Sequence, residues 1–360
     1  MTALPTAAPS GSFPGRRGMS VWIGAVVVLL ALAVLPSFLN PYYLRVLIIG
    51  LLYGYVAACW NIIGGYAGQM SLGHSMFFGI GSYAVAIFAR QGWDPLLLAL
   101  PAGIAVSGVL AWCVASICFR YSLRGIYLAV GTLLLAEIVQ IIVVNSEFLG
   151  RSQGLQFPPQ LSLLNVQFAS DLPFFYIFLT LALLMIVGTR LLERSKLGYD
   201  LVAVREQEEG AQALGVDTNR VKRVAFVASA MLTAIGGFLY ASLIKFVEPS
   251  YDLSISITLI MIMGAVVGGR GTALGPFVGG VIVVLVQEGL TAAGSWAGTT
   301  SFSALAQMTY GLFFVVTLLL FPRGVVGEWF RRRADRRARL LGVSGQRLMN
   351  GTVDSGGRGV

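Results

Sequence analysis

Long, uninterrupted apolar runs recur along this 360-residue chain and constrain its fold more than any other feature. Soluble domains carry about 25 % charged residues, whereas 11 % of the residues here are charged and 56 % are hydrophobic. A chain this apolar cannot cover itself with polar surface in water, so we predict an integral membrane protein. The runs are continuous and longer than the alternating segments of membrane β-barrels, which predicts helices.

The apolar runs form one membrane domain with a polar segment at each end. We predict a disordered cytoplasmic arm over residues 1–20, a transmembrane domain over 21–322 and a basic, disordered cytoplasmic tail over 323–360. The predicted fold class is an all-α polytopic membrane protein with about ten transmembrane helices, of which the shortest suit broken or re-entrant helices. The predicted spans are 21–39, 44–64, 74–89, 96–119, 125–149, 173–192, 224–247, 253–268, 276–290 and 304–321.

Basic residues are distributed unevenly between the two sides that these spans create. The net charge is +9, but basic residues flank apolar runs or fill the tail, so we predict no nucleic-acid partner. If the N-terminus is placed inside, the larger group of basic residues lies on the same side as the N-terminus. This group comprises Arg120, Arg124, the stretch 193–223, Arg270 and the tail. The opposite side receives Arg45, Arg90, Arg151 and Lys245. The more basic side, with both termini, should be cytoplasmic, and its tail can touch membrane lipid.

The stretch 193–223 is the longest polar interruption between two membrane spans. Steps of three and four residues predict a short helix with one shared face, made by Leu201, Val204, Glu208, Ala211 and Leu214. We expect Asp200 to cap its first turn, Gly215 to end it, and Asp217 or Thr218 to start the next helix. A polar helix at the membrane surface either docks on a partner or is a solvated loop, and the spacing leaves both open.

The segment 61–81, NIIGGYAGQMSLGHSMFFGIG, is dense in glycine. Glycine disfavours a helix, and irregular backbone inside a membrane persists only where protein buries it or where it lines a cavity. We therefore predict a broken helix, whose glycines serve close helix packing or border a solute path, and the sequence leaves both open. The candidate path residues of this segment are Asn61, Gly65, Gly68, Gln69, Ser71 and His74. A second glycine-dense stretch, 264–280, predicts a tight inner turn.

Glu137, in the middle of an apolar run, completes the candidate path. A carboxylate at this depth is costly unless it is paired or neutral, so it contacts solute or serves as an internal hydrogen-bonding strut. No GxxxxGK[ST], GxSxG or HExxH motif occurs, and His74 is the single histidine, so we predict neither catalysis nor a metal site. Cys59, Cys113 and Cys118 lie in apolar runs and imply no disulfide framework.

Four blocks carry the most specific signal, at residues 65–86 (GYAGQMSLGHSMFFGIGSYAVA), 124–140 (RGIYLAVGTLLLAEIVQ), 197–226 (LGYDLVAVREQEEGAQALGVDTNRVKRVAF) and 263–280 (MGAVVGGRGTALGPFVGG). In this order they resemble the permeases for branched-chain amino acids in ATP-driven bacterial importers. The block at 124–140 and the number of helices resemble the longer of the two sister permeases of that family.

The resemblance implies that the polar stretch meets an ATPase. Importer permeases carry a cytoplasmic helix related to EAA-x3-G that fits a cleft on the ATP-binding subunit. Here Glu209, Gly210 and Ala211 precede Gly215 at that spacing, although Gly210 replaces the middle Ala and no Leu-Pro follows. The implied coupling residues are Leu201, Val204, Arg205, Glu206, Glu208, Glu209, Ala211 and Gly215. ATP and Mg would belong to partner subunits, and this chain would bind no cofactor.

The resemblance also implies a location and partners. The chain would lie in the bacterial plasma (inner) membrane with ABC ATPase subunits, a sister permease and a periplasmic or lipid-anchored solute-binding protein. ATP binding would move the 201–214 helix as a rigid lever and change the side to which a central cavity opens. The solute would be a branched-chain or other hydrophobic amino acid, with urea or short amides as the alternative. An ion-coupled secondary transporter is the competing class, which needs inward-facing acids or inverted repeats.

Overall fold

The computed structural model describes residues 39–157 and 170–296, together with Pro36 and Phe168. The predicted arm 1–20, most of the span 21–39, the span 304–321 and the tail 323–360 lie outside the described residues. The described chain is helical, which confirms the predicted fold class. Its helices are α1 (Pro41–Asn61), α2 (His74–Arg90), α3 (Leu100–Arg120), α4 (Ile126–Asn145), α5 (Leu172–Arg194), α6 (Lys196–Glu206), α7 (Glu208–Ala213), α8 (Thr218–Ile244), α9 (Pro249–Asp252), α10 (Ile255–Gly268) and α11 (Gly275–Trp296).

Seven helical stretches of the described chain are long and apolar enough to cross a membrane. They are Pro41–Tyr66, Pro95–Arg120, Ile126–Asn145, Leu172–Arg194, Thr218–Ile244, Pro249–Gly268 and Gly275–Ala292. The predicted span 74–89 is α2, which has 17 residues and is preceded by non-helical chain. The eight spans predicted between 44 and 290 thus all correspond to helices, one of them shortened by a break.

Several helices begin where the sequence supplies a cap or a proline. Asn40 caps α1 by accepting the Tyr42 N–H, and Pro41 follows as the first helical residue. Asp217 caps α8 by accepting the Arg220 N–H at 3.0 Å, which confirms the predicted start of that helix. Proline suits these positions because the first backbone N–H groups of a helix have no partner within it.

Helix α1 lies at the centre of the bundle. The apolar window of its span is 83 % buried, against 28 % for the spans that contain α3 and α4. It contacts α11, α10, α5 and α8, while α8 also packs against α2 and α3. The core is rich in large aromatic side chains that are fully buried, among them Trp60, Tyr55, Phe77, Phe78 and Phe226.

Glycines allow α2 and α8 to approach closely. A Cβ atom at Gly81 would overlap the carbonyl oxygen of Ala234, and one at Gly237 would overlap that of Phe78. Small residues permit this contact because apolar burial alone does not drive helices together in lipid. The packing interpretation of the glycines in 61–81 is therefore confirmed for Gly81, at the end of that segment.

The two ends of the bundle carry different polar elements. At one end a two-residue strand β1 (Leu155–Gln156) pairs antiparallel with β2 (Phe246–Val247), beside Lys245 and Glu248. At the same end Tyr42 donates a hydrogen bond to Glu288 at 3.2 Å. The polar stretch 193–223 occupies the opposite end with Arg124. This division matches the two sides derived from the charge count.

We predict that Gly81→Ala destabilises the bundle because its methyl group must displace the backbone of α8. Overpacking of this kind costs about 1–3 kcal/mol, so thermal unfolding in detergent, followed by tryptophan fluorescence, should shift to lower temperature. Gly188→Ala is the matched control, since a Cβ there has no described atom within 4 Å. Equal unfolding midpoints for the two variants would contradict this packing role.

Candidate functional site

The helix that begins as α1 breaks inside the bundle, as the glycine-rich segment predicts. Residues Ile62–Tyr66 form one π-helical turn, and residues 67–73 are non-helical before α2 begins at His74. Gly68 takes a left-handed conformation with φ +68°, which glycine adopts at little cost. The Gln69 N–H then returns to the Ile63 carbonyl at 3.0 Å. The fold thus contains a broken membrane helix, and the chain reaches α2 through it.

Side chains from neighbouring helices bind the backbone groups that the break exposes. The Leu72 N–H donates to Thr132 Oγ1 of α4 at 3.0 Å, and the Ser75 N–H donates to Thr258 Oγ1 of α10 at 2.8 Å. The Trp60 indole donates to the Ser71 carbonyl at 2.9 Å. Each bond meets the requirement that backbone polar groups inside a membrane be satisfied by protein. Hydrogen bonds from α1, α4 and α10 therefore hold the break in place.

Hydrogen bonds of His74 connect the start of α2 to Ser229 of α8 and, through Ser229, to α1. Its Nδ1 lies 2.9 Å from Ser71 Oγ, and its Nε2 lies 2.9 Å from Ser229 Oγ. Ser229 has one hydroxyl proton, which it donates to the Cys59 carbonyl at 2.7 Å, so the network assigns the proton of the imidazole to Nε2. The ring is fully buried, with Phe77 and Phe226 packed edge-on against it.

The candidate path residues of 61–81 lie in two environments. Asn61, Gly65, Gln69, Ser71 and His74 are buried, and only Gly68 among the six is exposed. Asn61 joins α1 to the turn between α10 and α11 by donating to the Thr272 carbonyl at 3.1 Å and accepting the Gly271 N–H at 2.9 Å. In this structure the polar side chains of the set point into the fold. The exposed surface of the break is instead formed by Gly68 and Met70.

Glu137 is half-buried in the middle of α4. Its carboxylate makes no ion pair or hydrogen bond within residues 39–157 and 170–296, so this part of the chain supplies no partner for an internal strut. Gln140, one turn later, donates to the Pro249 carbonyl at 3.3 Å and ties α4 to α9. The two residues therefore have different environments although they are neighbours on the helix.

The turn between α10 and α11 confirms the tight inner turn predicted for 264–280. Gly269 and Gly271 have positive φ angles of 118° and 72°. Thr272 Oγ1 donates to the Gly269 carbonyl at 2.8 Å and accepts the Gly275 N–H at 3.1 Å. These local bonds close the turn, and Asn61 attaches it to the end of α1.

The polar stretch folds as two helices, so the prediction of one continuous helix over 201–214 is wrong. Gln207 is extended, with φ −157° and ψ 99°, and separates α6 from α7. The predicted cap Asp200 is also wrong, because α6 begins earlier and its cap is Ser195, whose Oγ accepts the Gly198 N–H at 3.1 Å. Gly215 does end α7 in a left-handed conformation, with φ +87°, as predicted.

Three apolar members of the predicted coupling set pack this two-helix element against the bundle. Leu201, Val204 and Ala211 are buried, as their shared face requires. Leu214 does not share that face: the break at Gln207 changes the direction of the chain, and Leu214 is 87 % exposed. Among the charged members, Glu206 and Glu209 point outward, with side chains 69 % and 81 % exposed.

Arg205 connects α6 to the broken helix and to the α10–α11 turn. Its Nη1 donates to the Gly65 carbonyl at 3.0 Å, while its Nε and Nη2 donate to Glu206 at 3.1 and 2.8 Å. Gly68 makes room for it, since a Cβ there would lie 2.7 Å from Arg205 Cγ. Gly271 also makes room for the guanidinium group, since a Cβ there would lie 2.5 Å from Arg205 Nη1. The element and the break therefore meet at one guanidinium group.

Glu208 joins α7 to the start of α8 through a buried ion pair. Its Oε1 lies 2.5 Å from Lys222 Nζ, and its Oε2 lies 3.3 Å from Arg124 Nε. The side chains of Lys222 and Glu208 are 1 % and 10 % exposed, and the ammonium group also lies 4.9 Å from the centroid of the Phe119 ring. A buried lysine needs such partners because an isolated charge is costly away from water.

Sequence reasoning missed the partners that complete this site. Thr132, Thr258, Ser229 and Lys222 are each distant in sequence from the groups they bind, at separations of 60, 183, 155 and 14 residues. A threonine in an apolar helix has many local hydrogen-bonding options, and Lys222 resembles its basic neighbours. Hence no local signal in the sequence marks these residues.

Comparison with known proteins adds independent information. The family described as “Branched-chain amino acid transport system / permease component” matches residues 42–321. No solved structure matches the chain. The family range begins in α1 and extends beyond the described residues, so it includes the broken helix and the two-helix element.

Individual relatives agree with this family. The LivM permease protein of Salmonella typhimurium is 28 % identical over 74 % of this chain and 65 % of its own length, so the chain spans less than two thirds of that relative. LivH of the same organism, the shorter sister, is 23 % identical over 78 % of this chain and 92 % of its own. The autoinducer 2 import permease LsrC of Klebsiella pneumoniae is 34 % identical over 31 % of this chain. The chain belongs to the branched-chain amino acid transport system permease family and resembles its longer member, LivM.

Proposed function

We propose that this chain is the transmembrane permease subunit of an ATP-driven importer for branched-chain or other hydrophobic amino acids. Separate ABC ATPase subunits hold ATP and Mg, and the chain itself binds no cofactor and catalyses no reaction. Family membership and the multi-pass fold support this proposal. The observation that carries it is the attachment of the polar two-helix element to the broken helix through Arg205 and to the start of α8 through Glu208.

The exposed side of the two-helix element supports a docking role. Tyr199 and Leu214 are 68 % and 87 % exposed, although both are apolar residues on a polar segment. With the outward carboxylates of Glu206 and Glu209 they form a mixed apolar and acidic surface. Exposed apolar side chains ringed by polar ones mark sites of protein association. We propose that this surface enters the ATPase cleft, with Gly215 setting the end of α7.

The inward side of the element determines how motion would be transmitted. Leu201, Val204 and Ala211 pack on the bundle, while Arg205 and Glu208 make polar bonds to it. A displacement of the element by the ATPase would therefore act on the break at Gly65 and on the start of α8. The lever is thus two short helices with separate attachments, in place of the single rigid helix expected from the sequence.

The partners and orientation follow from the same arrangement. The end that carries the two-helix element faces the cytoplasm in this proposal, as the positive charge predicts, and both chain termini lie there. A sister permease would cover the surface of the break, where Gly68 and Met70 are exposed, and would supply the partner that Glu137 requires. A periplasmic or lipid-anchored solute-binding protein would dock at the opposite end. The location is the bacterial plasma (inner) membrane.

The solute has one specific alternative. LsrC, which matches part of this chain, is named for the import of autoinducer 2, so related permease segments serve chemically different solutes. Urea or short amides therefore remain the alternative cargo. An ion-coupled secondary transporter is the competing class, and its main support is Glu137, which lies unpaired in the middle of α4 within the described chain.

Glu209→Arg should uncouple the ATPase from transport. We expect uptake into proteoliposomes to fall by about tenfold or more, which corresponds to about 1.4 kcal/mol of lost interaction, because the substitution reverses charge on the docking surface. ATP hydrolysis should persist, and thermal unfolding should be nearly unchanged. Asp94→Arg, at an exposed position near the opposite end, is the matched control. Unchanged uptake by Glu209→Arg would contradict the docking surface.

Lys222→Met should destabilise the chain more than a surface substitution because Glu208 keeps its buried position and loses its nearest cation. Removing one partner of a buried pair costs about 3–5 kcal/mol. The measurement is thermal unfolding in detergent, and the control is the double variant Lys222→Met/Glu208→Gln, which removes both charges. The double variant should recover much of the loss. If both unfold at the same temperature, the pair is not coupled in the way described.

Transport competition decides the solute and the class. In proteoliposomes that contain the complete importer, leucine, isoleucine and valine should compete with one another for ATP-dependent uptake, whereas urea and acetamide should not. Uptake by the lone chain, driven by an ion gradient without ATPase, would identify a secondary transporter. Strong competition by urea or acetamide would overturn the assigned solute while leaving the importer mechanism intact.

A further inference from the structure

A long groove runs between α3 and α8 at the end of the bundle that carries the two-helix element. It consists of two cavities of about 590 and 360 Å³ that share Trp112 and Arg223. The smaller cavity also contacts Ser116, Arg120 and Asn219, near the end of α3 and the start of α8. The larger one continues from Asp217 along α8 to Met231. The groove belongs neither to the broken helix nor to the docking surface.

One end of this groove is strongly basic. Arg120, Arg220 and Arg223 line it, and none of these guanidinium groups makes an ion pair within the described chain. Asp217 is the acid that lines the groove, and its Oδ1 already accepts the Arg220 N–H as the cap of α8, while Asp200 shares only the neighbouring cavity with Arg220. Three arginines beside one engaged carboxylate leave an excess of positive charge. Arginine groups arranged in this way favour a phosphate or carboxylate ligand.

Two buried polar atoms at the same place lack partners. Arg223 Nε and Ser116 Oγ are inaccessible to solvent and have no hydrogen bond in the described structure. Both residues line the smaller cavity with Arg120. Buried donors without partners are uncommon in folded proteins and need an explanation. Side-chain rotation toward the cavity would let both atoms donate hydrogen bonds to an anionic group seated there.

The rest of the groove is apolar. Val224, Val227, Ala228 and Met231 line it along α8, and the exposed ring of Trp112 lies across from them on α3. From Asn219 to Met231 the groove follows about 18 Å of helix, at about 1.5 Å per residue. Tryptophan is enriched where a membrane meets water, because its ring is apolar and its N–H is polar. A ligand for the whole groove therefore has an anionic head and a long apolar tail.

We propose that this groove binds an anionic phospholipid, with the phosphate among Arg120, Arg220 and Arg223 and an acyl chain along Val224–Met231. The chain's own ends are poor occupants, since Arg16 and Arg17 precede the first apolar run and the tail 331–340 is rich in arginine. Basic pockets between helices on the cytoplasmic side of membrane proteins suit such head groups. The site depends on the cytoplasmic orientation proposed above and is independent of the transported solute.

The site has a consequence for the coupling element. Arg220 and Asp217 also line a neighbouring cavity of about 600 Å³ against α6, together with Lys196 and Asp200. A lipid phosphate that fixes Arg220 would therefore hold the start of α8 against the two-helix element. Anionic lipid would act as a positioning ligand for this region, outside the solute path.

Lipid retention by the purified full-length chain tests the proposal. In native mass spectrometry with added phosphatidylglycerol, Arg120→Gln/Arg220→Gln/Arg223→Gln should retain at least about tenfold less lipid than the unsubstituted chain, because each lost arginine weakens binding to anionic lipid. Arg194→Gln is the matched control, an exposed arginine at the same end on α5. Phosphatidylcholine should be retained equally and weakly by all three. Equal retention of phosphatidylglycerol by the triple variant would overturn the site.

A second measurement works even if the triple variant fails to fold. Brominated phosphatidylglycerol should quench tryptophan fluorescence more than brominated phosphatidylcholine, and Trp112→Phe should abolish this difference. Trp93→Phe, an exposed tryptophan on the opposite side of the predicted topology, should preserve it. Displacement of the phosphatidylglycerol effect by inorganic phosphate at low millimolar concentration would identify a soluble anion as the ligand and overturn the lipid assignment. If the quenching difference between the two brominated lipids were undiminished in Trp112→Phe, the lipid assignment would also be overturned.

Discussion

Backbone groups freed where α1 ends must find hydrogen-bond partners inside the membrane, and the rest of this end of the bundle is arranged around that requirement. Thr132 and Thr258 meet it from two different helices, and Trp60 meets it from α1 itself. His74 then joins the end of the break to α8 through Ser229. A chain that breaks a helix at this depth is stable only because several helices contribute to the repair. Because these helices are all bonded to the break, a movement of any one of them would displace it.

The two-helix element is attached to this region by charge as well as by apolar packing. Arg205 reaches the break directly, and Glu208 reaches α8 through Lys222, so the element has two independent polar attachments. The extended residue Gln207 between them gives each short helix its own direction. This arrangement explains why Glu208, an acidic residue inside a polar stretch, is nearly buried, while its neighbour Glu209 stays 81 % exposed and has only a long contact of 3.6 Å to the guanidinium of Arg124. An element fixed on one side and exposed on the other is suited to transmit force.

The basic groove beside α8 gives the same end of the protein a second proposed contact, with the membrane itself. Asp217, which caps α8, and Arg220 both line the groove and the cavity against α6. The start of α8 thus lies between a proposed lipid site and the element that would meet an ATPase. The position of this helix terminus would depend on its contacts with the lipid and with the two-helix element. Lipid composition would therefore affect the coupling between the ATPase and the bundle.

The sequence by itself determined the class of fold, because long apolar runs have no stable alternative to membrane helices. It also determined local features that need only neighbouring residues: the break near Gly68, the cap at Asp217 and the end of α7 at Gly215. Tertiary structure alone decided the extended Gln207, the exposure of Leu214 and the burial of Lys222. These depend on which distant groups approach each other, since a lysine or leucine in a polar stretch has the same local pattern whether it faces the bundle or water.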